Sequence, residues 1–125
     1  MKKVISIPGA PLPIGPYSQA IINNDMLFIS GQVPINPATG MMLEGDIAAL
    51  THQVLENIAA LLKEANMDFN HIVKTTIFLA DMNDFTVVND VYSSYFHSEF
   101  PARETVQAAR LPKDARVEIS AIAMR

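Results

Sequence analysis

The last strand-like segment of the sequence, residues 115–124, is apolar on both of its sides. Alternate side chains of a strand point to opposite faces of a sheet. One face of this segment carries Val117, Ile119, Ala121 and Ala123, and the other carries Ile122 and Met124. Residues 26–29, "MLFI", are apolar on both sides in the same way. A sheet built from such strands needs a cover on each face, which limits the folds open to the chain.

Two segments carry hydrophobic residues at helical spacing. From Ile47 to near Asn66 the spacing predicts an amphipathic helix of about 20 residues, with Asp46 as its N-cap. A second helix is predicted after Asn83 or Asp84, either of which can cap it. Its predicted buried stripe is Phe85, Val88, Tyr92 and Tyr95.

The remaining patterned segments read as strands. Residues 2–6 predict a short edge strand before a proline-rich loop. The segments "YSQAII" and "MLFISGQV" flank turn residues 23–25 and predict a hairpin, and "PINPATGMMLEG" predicts a turn-rich surface excursion. Three further strands are predicted in "HIVKTTIFLA", "ETVQAAR" and "ARVEISAIAM", the last two joined by the turn "LPKD".

The order β, ββ, α, β, α, ββ predicts an α+β fold, a mixed sheet with both helices on one face. No third helix is available to cover the other face. We therefore expect a second copy of the chain to cover it, in an obligate homo-oligomer of cyclic symmetry.

Length and composition exclude several classes of protein. At 125 residues the chain suits a single domain, 1–125, and a hydrophobic content of 50% excludes disorder. The lack of cysteine removes disulfides, thiolate metal sites and cysteine nucleophiles. A net charge of −4 without a Lys/Arg cluster argues against a nucleic-acid partner. The short N-terminal apolar run is broken by prolines, so we expect a cytoplasmic protein with no membrane partner.

The usual site motifs are missing. His52, His71 and His97 do not stand at the spacing of metal ligands, so we predict no metal site. No G-x-G-x-x-G, P-loop or G-x-S-x-G motif occurs, which removes support for dinucleotide, phosphate and α/β-hydrolase chemistry.

Two charged residues stand out from their surroundings. Arg103 follows Pro101 at the entry to a strand, and its planar fork suits a small carboxylic acid, although a surface charge or an ion pair is the commoner role. Glu118 lies in an apolar strand, where desolvation would raise its pKa and make it a candidate base toward water. An equally weighted alternative is a salt bridge to Arg110, Lys113 or Arg116.

Three smaller candidates have ordinary alternatives. Tyr17 could simply be an aromatic side chain packed in the protein, and Ser30 could be an ordinary hydroxyl at the end of a strand. Gly31 suits a bulge or an exposed backbone donor equally well.

Four motifs together resemble the Rid family, once named YjgF, and most of all its RidA subgroup. They are "IGPYSQA" at 14–20, "ISGQVP" at 29–34, "FLADMNDFTVVNDVY" at 78–92 and "PARETVQAARLPKDARVEISAIA" at 101–123. The resemblance implies a chorismate-mutase-like α+β fold. It also implies a homotrimer with a central β-barrel and ligand clefts between neighbouring subunits.

The resemblance implies a deaminase, a hydrolase that acts on C–N bonds. RidA-type enzymes hydrolyse reactive 2-imino acids such as 2-iminobutanoate and 2-iminopropanoate, and their enamine tautomers, to 2-oxo acids and ammonia. They use no metal or cofactor, and pyridoxal-phosphate enzymes such as threonine dehydratase release their substrates. The alternatives are a non-catalytic module that binds 2-oxo acids or regulates a partner, and the ribonuclease or translation-inhibitor activity also described for family members.

By resemblance, the carboxylate-binding arginine falls on Arg103 and the water-positioning glutamate on Glu118. The tyrosine of the Gly-Pro-Tyr-Ser motif falls on Tyr17, and the Ser-Gly pair of the cleft falls on Ser30 and Gly31. In this reading Arg103 binds the substrate carboxylate and Glu118 orients a water against the imine carbon. Tyr17 and Ser30 then fix the substrate's pose.

Two assignments of the resemblance concern the second helix and the strand after it. The helix asparagine falls on Asn89, and a cleft position that is often cysteine falls on Thr105. Threonine suits that position if it contributes mainly backbone groups. Glu104, between the arginine and Thr105, adds a charge near the cleft.

Overall fold

The chain builds one mixed six-stranded sheet, a small second sheet and two helices, and a computed structural model describes residues 1–125. The elements in chain order are β1 (Lys2–Ile5), β2 (Ala20–Asn23), β3 (Met26–Gln32), β4 (Ile35–Asn36), β5 (Met41–Met42), α1 (Ile47–Glu64), β6 (Ile72–Leu79), α2 (Phe85–Ser93), β7 (Ala102–Gln107) and β8 (Val117–Met124). Short 3₁₀ turns lie at Phe69–His71, Met82–Asp84 and Pro112–Asp114. The predicted α+β fold is confirmed.

The strands of the main sheet lie in the order β1-β2-β3-β8-β6-β7, so β1 is an edge strand as predicted. All neighbours are antiparallel except β6 and β7, which α2 connects in parallel. β2 begins at Ala20, so Tyr17 lies in the preceding loop rather than in the predicted strand. The predicted surface excursion contains the hairpin of β4 and β5.

α1 is close to its predicted form because its ends carry strong local signals. The Asp46 carboxylate accepts a hydrogen bond from Ala49 N at 2.8 Å, the interaction expected of an N-cap. Asn66 follows the helix in the left-handed conformation, with φ +57°, and Met67 N donates to Leu62 O at 2.9 Å. This geometry satisfies free carbonyls at the helix end.

α2 differs from the prediction at both ends. Asp84 precedes the helix but forms no side-chain cap, because its carboxylate binds Arg116 instead. Phe85 is 37% exposed, and Tyr95 lies beyond the helix, so the predicted stripe is wrong at these two positions. Val91 joins the buried residues Val88 and Tyr92. Neither helix is long and apolar enough to cross a membrane.

Only one face of the main sheet is covered. α1 packs on β8 and β3 and also contacts α2, and the 25 buried residues of the core lie between these helices and the sheet. Val117 and Ile119 of β8 are fully buried on this side. On the opposite side, here called the open face, Phe28 is 41% and Met124 is 43% exposed. The two-sided apolar pattern therefore leaves exposed hydrophobic surface on a single chain.

Candidate active site

A cleft of about 490 Å³ opens where the loop before β2 meets β3 and β8. Tyr17, Ser30, Gly31 and Glu118 all line it, and we call it the Glu118 cleft. They come from three parts of the sequence, and the pairing of β3 with β8 brings Ser30 and Gly31 beside Glu118. Lys113, from the turn before β8, also lines this cleft.

A β-bulge in β3 forms one wall of the Glu118 cleft. The register on its two sides pairs Ile29 with Ala121 and Gln32 with Ile119. Three steps along β3 therefore match two along β8, and the additional residue falls at Ser30 and Gly31. A bulge changes the direction of side chains at its site. Of the two roles left open for Gly31, the structure shows the bulge.

The carboxylate of Glu118 lies against the backbone of this bulge. A Cβ atom on Gly31 would lie 2.6 Å from Glu118 Oε2, which is inside contact distance. Gly31 does not have a positive φ. The absence of a side chain, and not backbone freedom, is therefore what this position requires.

Glu118 makes no ion pair, so the predicted salt bridge is wrong for all three candidate partners. Arg110 binds Asp114 at 2.6 Å and Arg116 binds Asp84 at 3.1 Å, while Lys113 has no carboxylate partner. Partial burial without a compensating cation raises the pKa of Glu118 above its ordinary value. A carboxylate in this state is a stronger base toward water than an exposed one.

The hydroxyl groups of Ser30 and Tyr17 differ in whether they can donate or accept a hydrogen bond in the cleft. Ser30 Oγ donates to Ser18 O at 2.6 Å, so toward the cleft its oxygen is an acceptor. Tyr17 Oη accepts from Ile14 N at 3.3 Å, so its own proton is available to a ligand. The cleft therefore offers one hydroxyl acceptor and one hydroxyl donor.

Arg103 and Asn89 lie in a second cleft of about 380 Å³, here called the Arg103 cleft. Arg103 Nη1 donates to Asn89 Oδ1 at 2.7 Å, and its guanidinium carbon lies 5.0 Å from the centre of the Tyr92 ring and 5.8 Å from that of Phe85. The amide and the two rings hold the guanidinium in one orientation. Arg103 forms no ion pair within the chain, so its charge is available to an external carboxylate.

Thr105 and Glu104 point to opposite sides of β7. Thr105 Oγ1 is buried without a hydrogen-bond partner and lies outside the lining of both clefts. Glu104 binds Lys74 at 3.1 Å and accepts from Thr76 Oγ1 at 2.9 Å. The charge of Glu104 is thus met by a lysine on the open face, which limits its influence on either cleft.

Arg103 and Glu118 lie on opposite faces of the sheet. Arg103 is in register with Thr75, which hydrogen-bonds Tyr92 beneath α2 at 2.7 Å. Glu118 is in register with Phe78, whose neighbours in β6 are buried on the helix side. The two positions are three residues apart along β6, a distance of about 10 Å. Within one chain, the two clefts do not form one site.

Leu12, Ile14 and Gln19 also line the Glu118 cleft, although no sequence pattern above predicted this. The available signal was the run of prolines at positions 8, 11, 13 and 16. Proline has no N–H, so such a loop depends on side chains elsewhere for its hydrogen bonds. No group of three or more His, Asp or Glu side chains is placed to hold a metal ion.

Comparison with known proteins agrees with this architecture. Residues 8–125 match the family model described as endoribonuclease L-PSP. A crystal structure from Yersinia pestis, described as a protein of unknown function of the conserved Rid protein family, is 52% identical, with a TM-score of 0.97 and 100% of both chains covered. The chain belongs to the Rid (YjgF) family. The resemblance based on the four motifs is confirmed.

Two further proteins that the chain resembles have more specific descriptions. A Bos taurus protein named 2-iminobutanoate/2-iminopropanoate deaminase is 50% identical over 125 residues, which cover 100% of this chain and 91% of the bovine one. The crystal structure of E. coli TdcF with bound serine is 41% identical, with a TM-score of 0.94 and 98% of each chain covered. This Rid chain therefore aligns with both over nearly its whole length.

Proposed function

We propose that this Rid protein is a deaminase that hydrolyses 2-imino acids, such as 2-iminobutanoate and 2-iminopropanoate, to 2-oxo acids and ammonia. The observation that carries the proposal is the state of Glu118, a half-buried carboxylate without an ion pair in a cleft beside two hydroxyl groups. The name of the bovine relative, which is 50% identical, supports the same substrates. The serine bound to TdcF supports a ligand of amino-acid size.

In the proposed reaction, Glu118 accepts a proton from a water molecule as the water oxygen bonds to the imine carbon. The product is a carbinolamine, and its nitrogen takes up the proton from Glu118. The hydroxyl proton of the carbinolamine then passes to the nitrogen through Glu118, the C–N bond breaks, ammonia leaves, and the oxygen stays on the carbon as the carbonyl of the 2-oxo acid. Imines are labile in water, so positioning and proton transfer supply the needed acceleration.

The hydroxyl groups match this chemistry. Tyr17 Oη is free to donate a hydrogen bond to a negatively charged oxygen of the substrate. Ser30 Oγ is free to accept one from the imine nitrogen or from the attacking water. The two groups thus distinguish the oxygen end of the substrate from its nitrogen end.

The carboxylate of the substrate is assigned to Arg103, which requires a second copy of the chain. Arg103 is oriented by Asn89 but lies on the opposite face of the sheet from Glu118. We therefore propose a homotrimer in which open faces meet in a central barrel and the Arg103 cleft of one subunit adjoins the Glu118 cleft of the next. The exposed Phe28 and Met124 support burial of the open face.

A coupled assay tests the function directly. Threonine dehydratase converts threonine to an enamine whose imine tautomer is 2-iminobutanoate, and loss of the imine is followed with and without this protein. We expect faster imine loss with the wild-type protein and none beyond background with Arg103→Ala. With Glu118→Gln, binding of 2-oxobutanoate should survive while turnover falls. Wild-type turnover in Glu118→Gln would reject the base role.

The alternative is that the same two clefts belong to a non-catalytic module, which binds 2-oxo acids or regulates a partner protein. Binding of 2-oxobutanoate without any acceleration of imine loss would favour it. The name of the matching family model also suggests a ribonuclease. A net charge of −4 argues against that activity, and RNA cleavage with a strongly salt-dependent affinity would favour it.

A further inference from the structure

The Glu118 cleft has two walls that are separate in sequence. One is the bulge at Ser30 and Gly31. The other is the segment of residues 7–17, here called the proline loop, which places Leu12 and Ile14 at the cleft with exposures of 68% and 66%. Two exposed aliphatic side chains form an apolar surface beside the polar groups, an arrangement typical of small-molecule sites.

The side chain of Gln19 connects the proline loop to the sheet. Gln19 is 1% exposed, and its Oε1 accepts a hydrogen bond from Ile7 N at 2.7 Å. Its Nε2 donates to Ile7 O at 3.0 Å, Ala10 O at 3.1 Å and Pro11 O at 3.0 Å. The amide therefore satisfies polar backbone groups at three positions of the loop.

The backbone of the same residue holds the other wall. Ser30 N donates to Gln19 O at 3.0 Å, and the neighbouring Ser18 O accepts from Ser30 Oγ. Gln19 is thus the point at which the two walls of the cleft are joined.

The loop cannot replace these bonds from its own backbone. The prolines at positions 8, 11, 13 and 16 have no N–H group, so few donors are available nearby. A buried carbonyl left without a partner is destabilising, because its lost hydrogen bond to water is not replaced. Without the Gln19 amide, the loop would exchange its present form for others in which water reaches these carbonyls.

We propose that Gln19 is a positioning residue that sets the ligand affinity of the Glu118 cleft by holding the apolar wall of Leu12 and Ile14 against the ligand's side chain. The inference rests on the proposed function for the identity of the ligand, a 2-imino or 2-oxo acid with an apolar side chain. A loop that must be ordered on binding reduces affinity. Glu118 keeps its position in β8, and Ser30 keeps its backbone hydrogen bond to residue 19, because a side-chain substitution leaves that backbone oxygen in place. The rate of the chemical step should therefore change little.

Two variants separate these effects. Gln19→Glu keeps the shape and the acceptor for Ile7 N but replaces the donor with an oxygen facing three carbonyls, and Gln19→Met removes all side-chain hydrogen bonds at similar volume. Ile58→Val is the control for loss of stability, since Ile58 is fully buried in α1 outside the cleft. It should lower stability without changing affinity.

Three measurements test the proposal: the dissociation constant for 2-oxobutanoate, KM and kcat in the coupled assay, and hydrogen exchange of the ligand-free protein. We expect both Gln19 variants to raise the dissociation constant and KM about tenfold or more with kcat within twofold, because binding must then order the loop. A tenfold change corresponds to about 1.4 kcal/mol. Exchange should accelerate at Ile7 N and across the proline loop while α1 and β8 stay protected.

The outcomes distinguish this proposal from the proposed function. Normal exchange in the proline loop of either variant, or an unchanged dissociation constant, overturns the role of Gln19. A fall in kcat with unchanged KM also overturns it, because the wall would then act on the chemical step. Absence of imine hydrolysis by the wild-type protein overturns the function alone, since the exchange and binding measurements still decide the role of Gln19. If one Gln19 variant does not fold, the other variant is used for the test. If neither Gln19 variant folds while Ile58→Val does, Gln19 is required for folding and the proposal is overturned.

Discussion

The carboxylate of Glu118 occupies the space that a side chain at position 31 would need. A Cβ atom on Gly31 would lie 2.6 Å from Oε2, 2.8 Å from Cδ and 3.0 Å from Cγ of Glu118. The two residues lie on adjacent paired strands, so neither backbone can move without disturbing the sheet. The bare backbone of Gly31 therefore sets the position of the carboxylate.

Gly31→Ala should displace the carboxylate and lower kcat about 100-fold, because a misplacement of about 1 Å costs that much. The measurement is the coupled imine assay together with a thermal melt. Gly9→Ala is the matched control, since a Cβ there would meet its nearest neighbours at ordinary distances of 3.6 Å and 3.8 Å. Normal turnover in Gly31→Ala would contradict a base role for Glu118.

Glu118→Gln should stabilise the protein at neutral pH. Burial raises the pKa of Glu118 in the folded state, so the folded protein loses stability as the pH rises through that pKa. Glutamine cannot ionise, so the variant does not suffer this loss. The difference in free energy of unfolding between the variant and the wild type should disappear below the ordinary glutamate pKa of about 4.3. Urea unfolding at several pH values and one protein concentration measures the difference. Glu64→Gln, an exposed residue of α1, is the control, and an equal pH dependence in both variants would contradict the burial argument.

Arg103→Lys should weaken 2-oxobutanoate binding about 10- to 100-fold, although the charge is kept. Lysine lacks the planar fork that Asn89 and the Tyr92 ring orient, and a hydrogen bond to a charged group contributes about 1.5–3 kcal/mol. Calorimetric titration measures the affinity. Arg116→Lys, which alters an exposed pair with Asp84, should bind as the wild type does. Equal binding by both variants would remove Arg103 from carboxylate recognition.

Mixed oligomers should recover activity that neither parent has. If each site takes Arg103 from one subunit and Glu118 from the next, an equal mixture of Arg103→Ala and Glu118→Gln subunits restores about one quarter of the sites in a cyclic trimer. Co-refolding followed by the coupled assay measures this recovery. No recovery in mixed trimers, verified by mass, would show that the two residues do not share a site across subunits.

Thr105→Val should raise the free energy of unfolding by about 1 kcal/mol, because it removes a buried hydroxyl that has no partner. Ligand affinity should be unchanged, since Thr105 lines neither cleft. Urea unfolding and 2-oxobutanoate titration provide the two readouts. A loss of affinity in Thr105→Val with recovery in Thr105→Ser would show instead that the hydroxyl binds the ligand.

The elements of the fold follow from local signals in the sequence. Helical spacing and the Asp46 cap predicted α1, and alternating apolar residues predicted the strands and the uncovered face of the sheet. α2 was less predictable because the Asp84 carboxylate binds Arg116, which is distant in sequence, and does not cap the helix. A propensity rule cannot anticipate such a competition, since the two residues meet only when β8 has joined the sheet.

The sequence by itself determined the family, the two helices and the residue types suited to a carboxylate ligand. Only the tertiary structure decided that Glu118 has no cation beside it and that Gly31 lies under its carboxylate. It alone also decided that Arg103 faces the other side of the sheet. The physical reason is that ion pairing, burial and strand register depend on residues brought together across the sheet, and these distances are not encoded in any local pattern.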